Sequence, residues 1–286
     1  LAVDQILIKW IVERLLAEDV GAALDGLTIP QICDKRSKMH FGEKTGGCYQ
    51  MLDSSYQIIQ AGNYRCPDNF KEILRQYQEE DFRLDYEYRR FYSAYDQLEE
   101  TAAFEPLRDL VENIYTNEYL EALLPKWNAA IQEPDAFMAL PLQRDFYARN
   151  LKNAKERTVV IISDAMRYEV GKELFRRMQD DPKCTAKLEV QLSVLPSYTR
   201  LGMAALLPHA ELTMMDDFKV LIDGMPCDNL AEREAVLHKY SKDSTCVQFD
   251  NIKSLKVVEL RSIFTGKQVV YVYHNQIDAR GDKPNT

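Results

Sequence analysis

The sequence predicts an α/β protein: a mostly parallel open sheet with flanking helices, preceded by a largely α-helical domain. Up to about residue 157, apolar residues recur at three- and four-residue spacing, as in amphipathic helices. Beyond it, short β-branched runs alternate with helix-patterned runs. Charge divides the chain similarly, because residues 1–150 carry 26 acidic and 16 basic side chains, against 19 and 20 in residues 151–286. We therefore predict an acidic α-helical domain at 1–150 and an α/β domain at 157–286.

The helical domain is predicted from its long periodic segments. These are "DQILIKWIVERLLAEDV", "FKEILRQYQEEDFRLDYEYRRFYSAYDQLEE" and "FEPLRDLVENIYTNEYLEALLPKWNAAI". Glycine-containing stretches, "HFGEKTGGCYQ" and "GNYRCPDNF", predict loops, and Pro125 and Pro134 predict helix breaks or starts. Aromatic residues of the second segment are expected to pack between helices rather than stack on nucleic-acid bases: Phe82, Tyr88, Tyr92 and Tyr95.

Three strands are predicted in the second half. They lie in "TVVIISDA", "AKLEVQLSVLP" and "KQVVYVYHNQID", and the first has the continuous apolar pattern of a strand covered on both faces. Helices are predicted in "YEVGKELFRRMQDD" and "SYTRLGMAALLP". Open parallel sheets of this kind bind ligands at the carboxyl ends of their strands.

Several classes of protein are disfavoured by the composition. The six cysteines are scattered without C-x-x-C spacing, which favours reduced thiols in the cytoplasm. No apolar run approaches the roughly 20 residues of a membrane span, and the acidic half is unsuited to non-specific nucleic-acid binding. Phosphate-loop, G-x-S-x-G and H-E-x-x-H motifs do not occur. Because the sequence begins without methionine and ends in the turn-rich "GDKPNT", we expect a fragment of a longer protein.

Four residues are predicted at one edge of the sheet: Asp164, Thr199, His274 and Asp278. Each has an ordinary alternative, since an aspartate or threonine there is often a helix cap and a lone histidine is often structural. As a set they suit zinc or another divalent ion, with Thr199 as a metal-activated nucleophile for phosphoryl transfer near a helix N-terminus. Asp164 and Thr199 would share one ion, and His274 with Asp278 would begin a second. A two-ion site needs roughly six or seven ligands, so the set is incomplete.

Three motifs resemble the PglZ family of the bacterial BREX phage-defence systems, a family placed in the alkaline phosphatase superfamily. They are "VVIISDAMRYEVGKEL", "LPSYTRLGMAALLPH" and "VVYVYHNQIDARGDKPNT", and the resemblance covers about residues 70–286. It implies a C-terminally truncated alkaline-phosphatase-like core, with Asp164 as the first metal ligand and Thr199 as a metal-ligating nucleophile. His274 and Asp278 resemble the superfamily's Asp-x-x-x-His pair with the residue types exchanged. The remaining ligands would lie beyond Thr286.

The resemblance also implies a function for the parent protein. It would hydrolyse a phosphoester, such as a phosphodiester in nucleic acid, with a divalent metal, Zn²⁺ by expectation. It would act in the cytoplasm, away from membranes, with a DNA methyltransferase and other BREX proteins. This chain by itself would be inactive, because metal ligands are missing. The alternative is a non-catalytic assembly scaffold whose acidic helical half docks other defence proteins.

Overall fold

The structure, a computed structural model, describes residues 2–39, 42–133, 136–138 and 140–281. The chain folds as two units, one of Leu1–Ala136 with Tyr168–Val170 and one of Phe137–Arg167 with Gly171–Thr286. The first is helical and the second contains a three-stranded parallel sheet, so the predicted fold class is confirmed. The predicted domain limits, 1–150 and 157–286, stay a prediction. No helix among the described residues is both long enough and apolar enough to cross a membrane.

The first unit is built from seven α-helices in its described part. They are α1 (Ala2–Leu16), α2 (Ile29–Ser37), α3 (Gly42–Gln60), α4 (Phe70–Gln76), α5 (Phe82–Tyr95), α6 (Glu105–Asn113) and α7 (Glu121–Ala130). Two π-helical turns, Tyr77–Asp81 and Ile114–Leu120, join α4 to α5 and α6 to α7. A short antiparallel pair, β1 (Ala23–Leu24) and β2 (Leu27–Thr28), precedes α2. The three long periodic segments are therefore helical, as predicted.

The predicted loop "HFGEKTGGCYQ" is wrong, because helix α3 begins at Gly42; residues 40 and 41 lie outside the described chain. Tyr49, Met51 and Leu52 are fully buried in the core of the first unit. A helical glycine costs about 1 kcal/mol relative to alanine, whereas burying one large apolar side chain contributes about 1.5–3 kcal/mol. Packing of α3 therefore outweighs the low helix propensity of its glycines.

The prolines also differ from expectation. Pro125 lies inside α7 and does not break it, although a π-helical turn ends five residues earlier at Leu120. The pattern predicted a break because proline lacks the N–H of the helical hydrogen bond. Pro134 lies outside the described residues.

The tyrosine-rich face of α5 packs within the first unit, as predicted. Tyr95 is buried, and Tyr88 and Tyr92 pack against the same core. The rings of Tyr88 and Tyr115 stack with centroids 3.8 Å apart. Phe82 contacts the ring of Tyr168 edge-on at 5.9 Å. These aromatic residues are engaged by other side chains, which favours packing over base stacking.

The second unit alternates helices with strands. Its described elements are α8 (Phe146–Asn150), β3 (Thr158–Ser163), α9 (Tyr168–Gln179, whose first turn belongs to the first unit), α10 (Thr199–Ala205), β4 (Leu212–Met214), β5 (Val220–Ile222), β6 (Met225–Pro226), α11 (Leu230–Tyr240), β7 (Ser244–Gln248), α12 (Phe249–Ile252), α13 (Val257–Phe264), β8 (Val269–His274) and α14 (Gln276–Gly281).

A parallel sheet with the order β3-β8-β7 forms the centre of this unit. Strand β8 is central, and its residues 269–273 are all buried. Strand β3 lies at an edge, where Val159 and Ile161 are 43% and 67% exposed. The prediction that β3 is covered on both faces is therefore wrong, whereas β8 has the burial that such an apolar pattern indicates.

The predicted strand in "AKLEVQLSVLP" is also wrong. The segment makes one isolated bridge, Leu142 with Leu192, and forms no strand in the described structure. Leu188, Val190 and Val194 are half-buried while their neighbours are exposed, so the alternating pattern describes burial correctly. Alternation predicts an extended chain, but a strand also needs a partner whose backbone groups are free to pair.

A small antiparallel sheet, β4-β5-β6, was missed because its strands have only two or three residues. Helix α10 packs on it, and Leu201 and Ala204 share a buried cluster with Val220 and Ile222. This packing determines where the residue at the start of α10, Thr199, is held.

A partly buried hydrogen bond connects the central strand to the segment after α10. The Tyr271 hydroxyl donates to the Leu206 carbonyl at 2.7 Å, and Tyr271 is fully buried. We expect Tyr271→Phe to lower the free energy of unfolding by about 1 kcal/mol, because the carbonyl loses its hydroxyl donor. Urea unfolding followed by circular dichroism measures the change.

The matched control is Tyr147→Phe, because the half-buried Tyr147 makes no hydroxyl hydrogen bond within the described residues. It should change stability by less than about 0.5 kcal/mol. Equal effects of the two substitutions would contradict this account of the Tyr271 hydroxyl.

Candidate functional site

The carboxyl ends of β3 and β8 bring Asp164 and His274 together. In the parallel register Ser163 lies opposite His274, the last residue of each strand. One residue further, the Asp164 N–H donates to the His274 carbonyl at 2.9 Å. The pairing places a carboxylate and an imidazole on neighbouring strand ends, as the sequence predicted for this edge.

Asp164 is not a helix cap. Helix α9 begins at Tyr168, and its N-cap residue is Arg167. The Asp164 carboxylate instead accepts a hydrogen bond through Oδ1 from the N–H of Ala165, at 3.0 Å. Ala165 has a left-handed backbone with φ of 57°, which turns the chain sharply after the strand. The half-buried Asp164 uses Oδ2 in no hydrogen bond with a described residue.

His274 is held from two sides. Its Nδ1 lies 2.9 Å from the Ser163 hydroxyl, and the Phe249 ring meets the imidazole edge-on at 4.9 Å. These contacts orient the ring and leave Nε2 for another partner. The sequence reasoning missed Ser163. The signal was its position at the end of a predicted strand, but the register that places it opposite His274 cannot be read from one strand.

The end of β7 contributes a polar group that the sequence reasoning also missed. Asp250 accepts hydrogen bonds from Lys253 Nζ at 2.6 Å and from Gln276 Nε2 at 2.8 Å. These donors hold the pKa of Asp250 below its usual value. Gln248 donates to the Asn275 side chain at 3.1 Å. Residues after β7 and β8 are therefore linked by side-chain hydrogen bonds at the same sheet edge.

Thr199 and Asp278 lie on different elements from this pair. Thr199 is the first residue of α10, whose N-cap is Tyr198, so it is not the cap. Its side chain is exposed, and no hydrogen bond within the described chain links it to Asp164 or His274. Asp278 is half-buried in the first turn of α14, directly after β8.

The described residues do not form a complete metal site. Within the described ranges, no three histidine, cysteine, aspartate or glutamate residues come together as a group that could hold a metal ion. Carboxylate oxygen and imidazole nitrogen are suitable zinc donors, but zinc takes about four ligands and this edge offers Asp164 and His274 as a pair. The Asp164 carboxylate and the His274 imidazole are suitable ligands for a divalent ion, but two ligands do not complete its coordination.

Comparison with known proteins identifies a family for the second half of the chain. Residues 145–286 match the family model described as the BREX system PglZ alkaline phosphatase-like domain. This part of the chain belongs to the PglZ family. The PglZ domain thus includes the parallel sheet and all four predicted site residues. No solved structure matches the chain.

Two curated relatives extend the similarity over the helical half as well. The chain is 35% identical to the alkaline phosphatase-like protein PglZ of Bacillus cereus (strain H3081.97), over 99% of this chain and 34% of that protein. It is 31% identical to the alkaline phosphatase-like protein BrxZ of Escherichia coli O9:H4 (strain HS), over 100% of this chain and 35% of that protein. The chain therefore spans about a third of the length of these relatives.

The contact between Ser163 and His274 gives a direct test of the site geometry in the PglZ domain. We expect Ser163→Ala to shift the ring-nitrogen resonances of His274 in ¹H–¹⁵N spectra, because Nδ1 loses its hydroxyl partner at 2.9 Å. Resonances of His209 and His238 should stay in place, since their rings contact the Leu207 and Ser244 carbonyls instead. An unchanged His274 spectrum would contradict the described orientation.

Proposed function

We propose that the PglZ domain is part of a metal-dependent phosphoester hydrolase, to which this chain contributes Asp164 and His274 as ligands of one divalent ion. One observation carries the proposal: the two residues lie side by side at the carboxyl edge of a parallel sheet, joined by the hydrogen bond from Asp164 N–H to the His274 carbonyl. Open α/β sheets bind ligands at this edge. The alkaline phosphatase-like description of the matched family supports the same chemistry.

The environment of the pair supports ligand roles. Within the described residues, Asp164 Oδ2 and His274 Nε2 form no hydrogen bond and could bind a metal ion. Asp164 Oδ1 is hydrogen-bonded to the Ala165 N–H, and His274 Nδ1 to the Ser163 hydroxyl. Such outer contacts fix the orientation of metal ligands in proteins. A bound divalent ion, Zn²⁺ in our proposal, would supply Lewis acidity at a phosphoryl oxygen. The missing ligands would come from the additional length that the curated relatives have, with Asp278 as a further candidate in this chain.

Thr199 is the proposed nucleophile. Thr199 is an exposed residue at the start of α10, so a phosphoester could approach it from solvent. Attack by the Thr199 oxygen on phosphorus would form a new O–P bond, while the hydroxyl proton is released to water and the ester oxygen leaves with its electron pair. Water would then hydrolyse the phosphothreonine ester and restore the hydroxyl.

The BREX name of the matched family implies a multi-protein defence system. We propose a DNA methyltransferase and other BREX proteins as partners, with a nucleic-acid phosphodiester as the substrate class and the cytoplasm as the location. The alternative is a non-catalytic scaffold that docks these proteins through the acidic helical half. The two proposals differ in one respect that is easily measured, namely whether the full-length protein hydrolyses phosphoesters.

The nucleophile assignment is tested in the full-length protein that contains this chain. We expect Thr199→Ala to abolish hydrolysis of bis-p-nitrophenyl phosphate, because the attacking oxygen is removed. The control is Thr265→Ala, which changes an exposed threonine at the end of α13 and should leave turnover intact. Unchanged turnover in Thr199→Ala refutes the nucleophile, and a wild-type protein inactive on phosphoesters with zinc present favours the scaffold.

The chain alone should bind zinc weakly, because Asp164 and His274 provide two of about four ligands. Titration of the 286-residue chain with Zn²⁺ against a fluorescent chelator measures the affinity. We expect no tight site, and a further loss of the weak binding in Asp164→Asn with His274→Gln. Two tight zinc sites per chain would refute the incomplete site.

A further inference from the structure

A cavity in the second unit involves none of the four predicted site residues. It has a volume of about 910 Å³ and is lined by parts of the segments 142–152, 192–195 and 201–214, together with Tyr240. We refer to it as the Tyr240 cleft. Lys152 and Tyr240 precede β3 and β7, near the amino ends of these strands. At the carboxyl edge of the sheet, by contrast, Asp164 follows β3 and His274 is the last residue of β8. The cleft is therefore a separate place in the fold.

The floor of the cleft is apolar and well packed. Leu201 and Leu207 line it and are buried in the core of the second unit, and Leu212 and Met214 of β4 pack against the same core. Because these residues are fixed by the core, the floor does not depend on a ligand for its shape. Small-molecule sites typically have volumes of roughly 300–1,000 Å³, and the volume of the Tyr240 cleft lies in this range.

The rim of the cleft carries an excess of cationic side chains. Arg144 and Lys152 both line it, are exposed, and form no ion pair within the described chain. Asp145 is the one carboxylate among the lining residues. His209 Nδ1 lies 2.7 Å from the Leu207 carbonyl oxygen. A carbonyl oxygen can only accept a hydrogen bond, so Nδ1 is the donor and Nε2 is left for a ligand of the cleft. Two unpaired cations of this kind suit a phosphate group.

An aromatic wall completes the cleft. The rings of Tyr147 and Tyr240 meet edge-on with centroids 6.4 Å apart. Tyr240 is 42% exposed, and its hydroxyl donates to Asp223, which anchors the ring at its polar end. Asp223 is itself fixed by the N–H groups of Ala210 and Glu211 at 3.0 and 2.8 Å. Lys239 Nζ lies over one face of the Tyr240 ring, 5.8 Å from its centroid, so a planar base would stack on the part of the ring that stays exposed.

From these three features we infer that the Tyr240 cleft binds a mononucleotide. The base would stack on the Tyr240 ring, the sugar would lie over the apolar floor, and the phosphate would contact Arg144 and Lys152. Each part of the ligand matches a different wall, and neither a free phosphate nor an apolar molecule would use all three. The site is independent of the proposed hydrolase site, since the two share no residue named for either.

Calorimetric titration of the 286-residue chain with AMP tests the inference. We expect one site per chain, and we expect the double variant Arg144→Ala with Lys152→Ala to weaken binding by at least about tenfold, because two charge-assisted phosphate contacts are lost. The matched control is Arg149→Ala with Lys155→Ala, which removes an exposed arginine and an exposed lysine nearby that do not line the cleft. The control should bind AMP like the unmodified chain.

Two partial ligands separate the walls of the cleft. Adenosine lacks the phosphate and ribose 5-phosphate lacks the base, and both should bind at least about tenfold more weakly than AMP. Absence of AMP binding, or equal affinity in the double variant and the unmodified chain, would overturn the inference. Adenosine or ribose 5-phosphate binding as tightly as AMP would overturn it as well, because one wall would then have no role. Circular dichroism of each variant verifies that it is folded.

Discussion

The backbone hydrogen bonds between β3 and β8 are the constraint on which the candidate site depends. Ser163 and His274 are 111 residues apart in sequence, yet the parallel register places them opposite each other and lets the Asp164 N–H reach the His274 carbonyl. The central strand is apolar on both faces, so specific contacts fix its position, among them the hydrogen bond from the Tyr271 hydroxyl to the Leu206 carbonyl, which a one-residue slip would break. Ser163 and Phe249 then orient the imidazole.

The sequence predicted the strands β3 and β8 and the edge where they end, since continuous β-branched runs and the polar residues after them are local signals. It did not predict that the two strands are neighbours, and for that reason Ser163 was missed. Strand β7 was missed as well, because "STCVQ" is short and half polar, and Asp250 went unnoticed with it. Adjacency and register depend on contacts between distant segments, which one-dimensional patterns do not contain.

Where the predictions failed, tertiary packing or pairing decided the outcome. The α3 segment is helical despite its glycines, because neighbouring side chains of the helix are buried. The alternating segment before Thr199 forms one isolated bridge and no strand. Thr199 begins α10, which packs on the small antiparallel sheet. A backbone hydrogen bond links Asp164 to His274, and no hydrogen bond within the described residues links either of them to Thr199. The chain spans about a third of the relatives' length, and the proposed hydrolase would need metal ligands in addition to Asp164 and His274.

The most direct measurement is an anomalous-scattering map at the zinc absorption edge, from crystals of the full-length protein grown with Zn²⁺. The proposal predicts a zinc peak within about 2.0–2.2 Å of both an Asp164 carboxylate oxygen and His274 Nε2. It also predicts loss of that peak in Asp164→Asn. A zinc ion bound elsewhere, with Asp164 and His274 in contact with protein alone, would contradict the claim that this sheet edge is a metal site.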